Sequence, residues 1–213
     1  MNLNKIIELL YNFILIRYSM GIIKKIKTDK NSIIWIWEIE ESLEELAMLS
    51  NDDTDIKNEK KKKEFYASRI LIKKMCKELN IKFNGIKKDD NGKPYLINSK
   101  YHISISHKFP YVTSIFDNKA CGVDIERIDN KVRKIKSKFL TENEEKKIGD
   151  NLKKLVEYWS IKESTYKVEG KTIPLKKINV NQKSKNLYKS LANGKNFKLS
   201  VLEIDNHILS YTT

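Results

Sequence analysis

Two carboxylates lie two residues apart in an otherwise apolar segment, Gly122-Val123-Asp124-Ile125-Glu126. The composition predicts a strand, and side chains two apart on a strand point to the same face. Two like charges on one face repel, but Mg²⁺ prefers carboxylate oxygens together with water and phosphate. The pattern is therefore consistent with a divalent metal site or with an ordinary solvated strand face.

A second group of polar residues follows at helical spacing. Trp159, Glu163 and Lys167 are four residues apart, which places them on one face of a helix. Glu163 could be a third carboxylate ligand, and Lys167 could contact a phosphate. The alternative is a surface Glu-to-Lys pair beside a core tryptophan.

Taken together, the two motifs resemble those of a known family, the 4′-phosphopantetheinyl transferase superfamily, in its surfactin-synthetase-activating type. The resemblance rests on residues 122–126 and on residues 159–164 followed by Lys167, in the family's order and at its usual separation. It implies a Mg²⁺ site and a catalytic role for the lysine and one of the ligands. The implied metal ligands are Asp124, Glu126 and Glu163, and the implied catalytic residues include Glu163 and Lys167.

The resemblance extends to the residues that would bind coenzyme A. It implies that Gly92, Lys93 and Pro94 cradle the adenine, and that Ser106 and His107 contact the phosphates, as Lys167 also would. By themselves these segments are also consistent with a plain Asn-Gly turn and with a strand that ends in Ser-His.

Arg69 resembles the arginine that the family uses against the 3′-phosphate of coenzyme A. A forked and permanently charged guanidinium suits that role. Lys57 and Lys60 are candidate helpers, and their alternative role is a solvated helix face.

Glu144 has two interpretations. Its position after Phe139-Leu140 resembles that of the family glutamate proposed as general base. Thr141-Glu142-Asn143-Glu144 is also a capping-box pattern, in which Thr141 and Glu144 satisfy free amides at a helix start. Both roles could hold at once.

The family implies a reaction and its partners. A serine of an apo acyl or peptidyl carrier protein would attack coenzyme A, with Mg²⁺ present, and 3′,5′-adenosine bisphosphate would leave. We expect an acidic carrier, a monomeric enzyme, cytoplasmic localisation, no membrane span and no nucleic acid. The identity of the carrier, and Mg²⁺ against Mn²⁺, stay open.

The elements that must position these residues can be read from the pattern. We expect a strand at 32–39, a helix at 41–48, a longer helix at 58–79 and three strands forming an antiparallel meander, followed by helical sequence at 130–169 and further strands. The predicted strands of the meander cover 102–106, 111–116 and 121–126.

This order predicts an α+β fold of two similar, pseudo-twofold-related halves, each a long helix packed on a small antiparallel sheet. We assign residues 31–120 to an N-terminal half that binds the adenosine and 3′-phosphate. Residues 121–213 form a C-terminal half with the metal and catalytic residues. Residues 1–30 are an extension of uncertain role, and translation could begin at Met1 or Met20.

Composition narrows the class of protein. A 40% apolar and 33% charged chain suits a globular protein. Cys76 and Cys121 lie far apart without a CxxC spacing, and only three histidines accompany them, so neither a zinc cage nor a disulfide framework is suggested. The apolar run from Ile6 to Ile16 is too short to span a bilayer and is expected to be helical. The net charge of +14 supports one rival function, a non-enzymatic basic protein that binds nucleic acid or an anionic surface.

Overall fold

The chain before residue 120 forms one antiparallel sheet, and the chain after residue 120 forms a second one. A long helix packs on each sheet. The computed structural model describes residues 21–170 and 172–213. The helix expected over Ile6–Ile16 lies outside the described residues.

The first sheet contains six strands in the order β1-β2-β6-β5-β4-β3. Its central strands are rich in β-branched and aromatic residues, which favour extended backbone. The strands are β1 (Ile22–Lys27), β2 (Ile33–Glu38), β3 (Ile86–Lys88), β4 (Pro94–Leu96), β5 (His102–Lys108) and β6 (Tyr111–Asp117).

In the described part of this half the helices are α1 (Leu43–Ser50) and α2 (Glu59–Glu78). Ser42 and Glu45 form a capping box at the start of α1, and the Asn58 side chain caps α2 by accepting a hydrogen bond from the Lys61 amide. These caps satisfy backbone donors that have no partner inside the helix. The apolar face of α2 packs on β2 and β6, where Ile70, Leu71 and Met75 meet Trp37 and Phe116.

The second sheet has five strands in the order β7-β11-β10-β9-β8. Between β7 and β8 the chain forms helices α3 (Lys136–Phe139), α4 (Glu142–Ile148) and α5 (Leu152–Glu169), with short 3₁₀ turns at Asn130–Ile135 and Leu175–Lys177. The strands are β7 (Val123–Arg127), β8 (Asn179–Ser184), β9 (Leu187–Ala192), β10 (Lys195–Ile204) and β11 (His207–Thr212).

Helix α5 is bounded by local signals at both ends. The Asn151 side chain caps its first turn, and Gly170 ends it in the left-handed conformation, with φ of 68°. Gly tolerates positive φ without a steric penalty, which is why it commonly follows a helix. Leu155 and Ile161 bury against Tyr188 and Leu199 of the second sheet.

The two halves share a core. Apolar side chains of β2 and β6 pack against those of β7 and β11, among them Ile34, Ile115, Val123, Ile125 and Leu209. Strands β5 and β7 run side by side at this junction, although they belong to different sheets. The junction therefore brings the end of β5, with His107, next to the carboxylates of β7.

Two side-chain hydroxyls join these strands. The Ser104 hydroxyl accepts a hydrogen bond from the Val123 amide at 3.3 Å, and the Ser106 hydroxyl accepts one from the Ile125 amide at 3.2 Å. The amides on this side of β7 are thus satisfied by side chains of the neighbouring half.

The predicted α+β fold is confirmed, and one part of the prediction is wrong. The three-stranded meander does not form, because β7 pairs with β11 in the second sheet while β5 and β6 pair in the first. The first sheet also begins earlier than Ser32, since β1 lies within the segment assigned to an extension. No helix in the described part of the chain is long and apolar enough to cross a membrane.

Candidate active site between the two halves

A glycine sets the distance between β7 and α5. A Cβ atom at position 122 would lie 2.1 Å from the backbone oxygen of Ser164, so no other residue fits without moving the helix. Small hydroxyl residues complete the contact, because Ser160 and Ser164 hydrogen-bond to Ser210 of β11. This close packing brings Asp124 and Glu126 next to the Glu163 and Lys167 face of α5.

Asp124 lies at the centre of the junction and is only 3% exposed. Its Oδ1 atom accepts hydrogen bonds from Lys167 Nζ at 2.8 Å and from the Ser106 hydroxyl at 2.9 Å. Its Oδ2 atom is buried and has no hydrogen-bond partner among the described residues. A buried acceptor without a partner is costly, so this oxygen is suited to an external ligand.

Glu126 lies two residues further along β7 and is less buried. It accepts a hydrogen bond from the Trp159 ring nitrogen at 3.1 Å, and Lys108 Nζ lies 2.6 Å from its other oxygen. The predicted helix face is therefore formed, since Trp159 holds Glu126 while Lys167 holds Asp124.

Glu163 is the third carboxylate of the group. Its pKa is raised from 4.5 to about 7, first by burial and then by the negative charges of Asp124 and Glu126, with Lys167 partly opposing the rise. The three carboxylates repel one another, and a bound cation would offset that repulsion.

The side chains do not already surround a common point. Over residues 21–170 and 172–213, no three His, Cys, Asp or Glu side chains form a group that could hold a metal ion as they stand. Lysines neutralise two of the carboxylates instead, Lys167 at Asp124 and Lys108 at Glu126.

A cavity of about 570 Å³ opens beside these residues, between the two halves. Its wall includes most of the residues that the sequence predicted to bind the cofactor, and it is rich in cationic groups. The predicted residues among the lining are Arg69, Gly92, Lys93, Pro94, His107 and Lys167. Residues that are far apart in sequence thus meet at one site.

The hairpin loop between β3 and β4 forms one wall of this cavity. Asp89 Oδ1 accepts hydrogen bonds from the amides of Asn91 and Lys93, each at 2.9 Å, and Gly92 adopts a positive φ of 79°. The Asn-Gly turn is therefore formed and also faces the cavity. Burial lowers the pKa of Lys93, whose side chain reaches toward Gly170 at the end of α5.

Comparison with known proteins agrees with this geometry. Residues 120–212 match the family model of the 4′-phosphopantetheinyl transferase superfamily. That part of the chain is therefore similar to this superfamily. The resemblance stated from the motifs is thereby confirmed, and the match includes all three carboxylates and Lys167.

A curated relative extends the similarity. The chain is similar to the 4′-phosphopantetheinyl transferase gsp of Aneurinibacillus migulanus, with 35% identity over 132 residues. The match covers 56% of this chain and 55% of the relative, so the chain spans about half the length of that curated relative.

Three of the residues predicted to bind coenzyme A lie outside the lining of this cavity. Ser106 is not among the residues that line the cavity, and its hydroxyl instead connects Asp124 to the Ile125 amide. Lys60 lies over the Phe109 ring at 5.4 Å, and Lys57 is exposed. The roles predicted for these residues toward coenzyme A stay predictions.

Glu144 forms the predicted capping box with Thr141 at the start of α4. It is buried, and Oε2 accepts a hydrogen bond from Lys162 Nζ at 2.7 Å while Oε1 accepts one from the Val180 amide at 3.0 Å. Glu144 does not line the cavity of about 570 Å³. Its contacts favour the helix-capping role, and its role as a base stays a prediction.

Sequence reasoning missed several residues of the cavity. Tyr166 lies beside Lys167 and contributes to the wall, and Lys61 and Ser68 project from α2. Glu64 was also missed, although it contacts His107 directly. Lys61, Glu64 and Ser68 are three and four residues apart, so they share one face of α2, and that spacing was the available signal.

Proposed function

We propose that this chain transfers the 4′-phosphopantetheine group of coenzyme A to a serine of an apo acyl or peptidyl carrier protein, with Mg²⁺ and with release of 3′,5′-adenosine bisphosphate. The observation that supports this best is the meeting of the carboxylate group with a cationic cavity at the junction of the halves. Pyrophosphate chemistry requires both features in one place.

The cavity suits the charge and shape of coenzyme A. Arg69 would bind the 3′-phosphate with its guanidinium fork, while residues 92–94 belong to a hydrogen-bonded turn against which an adenine would lie. His107 and Lys167 line the same cavity and would contact the pyrophosphate. Binding by several cations at once would hold the reacting phosphorus in place, which is a large part of phosphoryl-transfer catalysis.

Mg²⁺ fits the residues present. Asp124 offers a buried oxygen without a partner, and Glu163 is repelled by the other two carboxylates. Asp124, Glu126 and Glu163 would hold the ion, whose charge would stabilise the pyrophosphate oxygens and the leaving group when bound.

The chain's own residues would organise the reaction around that site. Lys167 is held by the Val123 carbonyl at 3.0 Å and by Asp124, so its ammonium is fixed at the edge of the cavity. It would stabilise negative charge as the bond between the β-phosphorus and the leaving oxygen breaks. The carrier serine would form the new bond to the same phosphorus and lose its proton.

An acidic carrier fits the surface beside the carboxylates. A second cavity of about 620 Å³ lies on the side of Glu126 and Trp159, and its rim carries five basic side chains. These are Lys60, Lys61, Lys108, Arg127 and Lys131. These basic side chains would speed the encounter with a negatively charged partner and orient it.

We also infer that the enzyme is cytoplasmic and monomeric.

Intact mass spectrometry of an apo carrier tests the reaction. Incubated with the protein, coenzyme A and Mg²⁺, the carrier should gain the mass of one phosphopantetheinyl group. Glu163→Gln should abolish the gain, and Asp150→Asn, at a fully exposed carboxylate, should preserve it. No gain on several acyl and peptidyl carriers would contradict the proposal.

The same assay tests Arg69 when 3′-dephospho-coenzyme A replaces coenzyme A. The wild type should use the dephosphorylated donor less well, and Arg69→Ala should use both donors equally. If Arg69→Ala preferred coenzyme A over the dephosphorylated donor as strongly as the wild type does, the assignment of Arg69 to the 3′-phosphate would be refuted.

A further inference from the structure

We propose that Glu64 is a positioning residue for His107. It would hold the imidazole by Nδ1 and so present Nε2 to the cavity between the halves. The contacts of Glu64 support the part of the proposal that concerns the orientation of His107. The part that concerns coenzyme A rests on the proposed function.

Glu64 is a carboxylate in the interior of the protein, only 2% exposed on the inner face of α2. Its Oε2 atom lies 3.0 Å from His107 Nδ1 and 2.7 Å from Lys61 Nζ. Its Oε1 atom accepts a hydrogen bond from the Phe109 amide at 2.8 Å. Both oxygens are therefore used, and both fix the end of β5 and the turn after it.

The carboxylate is ionised. Burial alone would raise its pKa, but hydrogen bonds from His107, Lys61 and the Phe109 amide, together with the charge of His107, lower the pKa from 4.5 to about 2. An anion can only accept hydrogen bonds, so the imidazole must carry its proton on Nδ1. The other ring nitrogen is left for the cavity, which His107 lines with a side chain that is 40% exposed.

The contact between Glu64 and His107 would prepare the imidazole to bind a phosphate. A histidine that binds a phosphate needs a proton on the nitrogen that faces the phosphate. A carboxylate behind the ring fixes its orientation and stabilises the imidazolium, in which both nitrogens are donors. Glu64 would thus act through His107 without touching the ligand.

Nitrogen-detected NMR of the histidine rings tests the first part without coenzyme A. The chain has only three histidines, and a His107→Gln variant assigns the signal. The neutral wild-type ring should be the Nδ1–H tautomer, and Glu64→Gln should shift it toward the Nε2–H tautomer. Glu59→Gln, an exposed change on the same helix, should leave the spectrum unchanged.

Two results would overturn the proposal. One is a wild-type His107 that carries its proton on Nε2. The other is an unchanged tautomer in Glu64→Gln, with circular dichroism and the unfolding midpoint showing that the variant is folded.

Titration with 3′,5′-adenosine bisphosphate and coenzyme A tests the ligand part. Glu64→Gln should weaken coenzyme A binding by about tenfold, and should add little in a His107→Ala background. Additive losses would show that Glu64 does not act through His107. If the wild type binds neither compound, the proposed function fails, while the tautomer result still decides the role of Glu64.

Discussion

Lys162 and Glu144 form an ion pair in the interior of the C-terminal half, with Nζ 2.7 Å from Oε2. The lysine side chain is fully buried, and its ammonium also donates a hydrogen bond to the Phe139 carbonyl oxygen at 2.7 Å. The pair links α5 to the start of α4. Glu144 therefore has a structural task whatever else it does.

Lys162→Met should strongly destabilise the protein. The substitution leaves the Glu144 carboxylate buried without its cation, which typically costs about 3–5 kcal/mol. Urea unfolding gives the free energy directly. A loss below about 1 kcal/mol would mean that the pair is worth no more than one at the surface.

Glu144→Gln separates the two roles of that residue. If Glu144 serves only as a cap and an ion-pair partner, the variant should lose stability but keep most of its kcat at a temperature where it is folded. A general base normally contributes about 10²–10⁴-fold to the rate. A kcat reduced by that factor in folded protein would establish the base role.

Gly122→Ala should disrupt the packing of β7 on α5. The added methyl would lie 2.1 Å from the Ser164 carbonyl oxygen, and overpacking of this kind costs about 1–3 kcal/mol or more. Phosphopantetheine transfer should fall as well, because Asp124 and Glu126 on β7 would move away from Glu163 on α5. Gly194→Ala is the comparison, since its Cβ would meet no atom within 4 Å while its positive φ of 75° makes alanine strained. That variant should lose some stability and still retain activity, because it leaves the contact between β7 and α5 intact.

Mg²⁺ should stabilise the folded protein through the carboxylate group. At about 100 times its Kd, the ion would add about 2.7 kcal/mol, and EDTA should remove the effect. In Glu163→Gln the thermal shift caused by Mg²⁺ should be largely lost, while Asp150→Asn should shift as the wild type does. An equal shift in both variants would place the ion elsewhere.

Acid should destabilise the wild type more steeply than Glu64→Gln. The folded-state pKa of Glu64 is lowered from 4.5 to about 2, so its stabilisation is complete above the unfolded pKa and is lost as the pH falls toward 2. The difference in pKa corresponds to roughly 3 kcal/mol. Urea unfolding between about pH 5 and pH 2 should show converging curves. Parallel curves would rule out this contribution.

Charge on the rim of the second cavity should govern the encounter with the carrier. Lys131→Glu should raise KM for an acidic carrier and reduce its dependence on salt, because exposed charges are screened by ions. Lys185→Glu, at an exposed position in the β8–β9 turn, should change KM much less. Equal effects would indicate attraction by net charge alone.

The local elements were largely predictable from the sequence. The long helix was expected at 58–79 and is α2, Glu59–Glu78, because its apolar spacing and the Asn58 cap are both local signals. The carboxylate motif was recognisable for the same reason. Its residues lie within five positions, and their types are characteristic of the chemistry.

Contacts between distant parts of the chain were not predictable. Nothing within Val123–Arg127 indicates that it pairs with His207–Thr212 and not with the neighbouring Tyr111–Asp117. Glu64 illustrates the same limit, since Lys61 and Glu64 resemble an ordinary surface pair at i and i+3. Only the folded chain brings His107 to that carboxylate and reveals that the pair is inside.

The hydroxyls of Ser104 and Ser106 satisfy the amides of Val123 and Ile125 at the outer side of β7. A fragment containing only the second sheet would therefore expose a bare strand edge, together with the apolar side chains that face the first sheet. Exposed edges of this kind recruit other strands. Separated from its neighbour, the C-terminal half should self-associate, and adding the N-terminal half in trans should restore a soluble heterodimer.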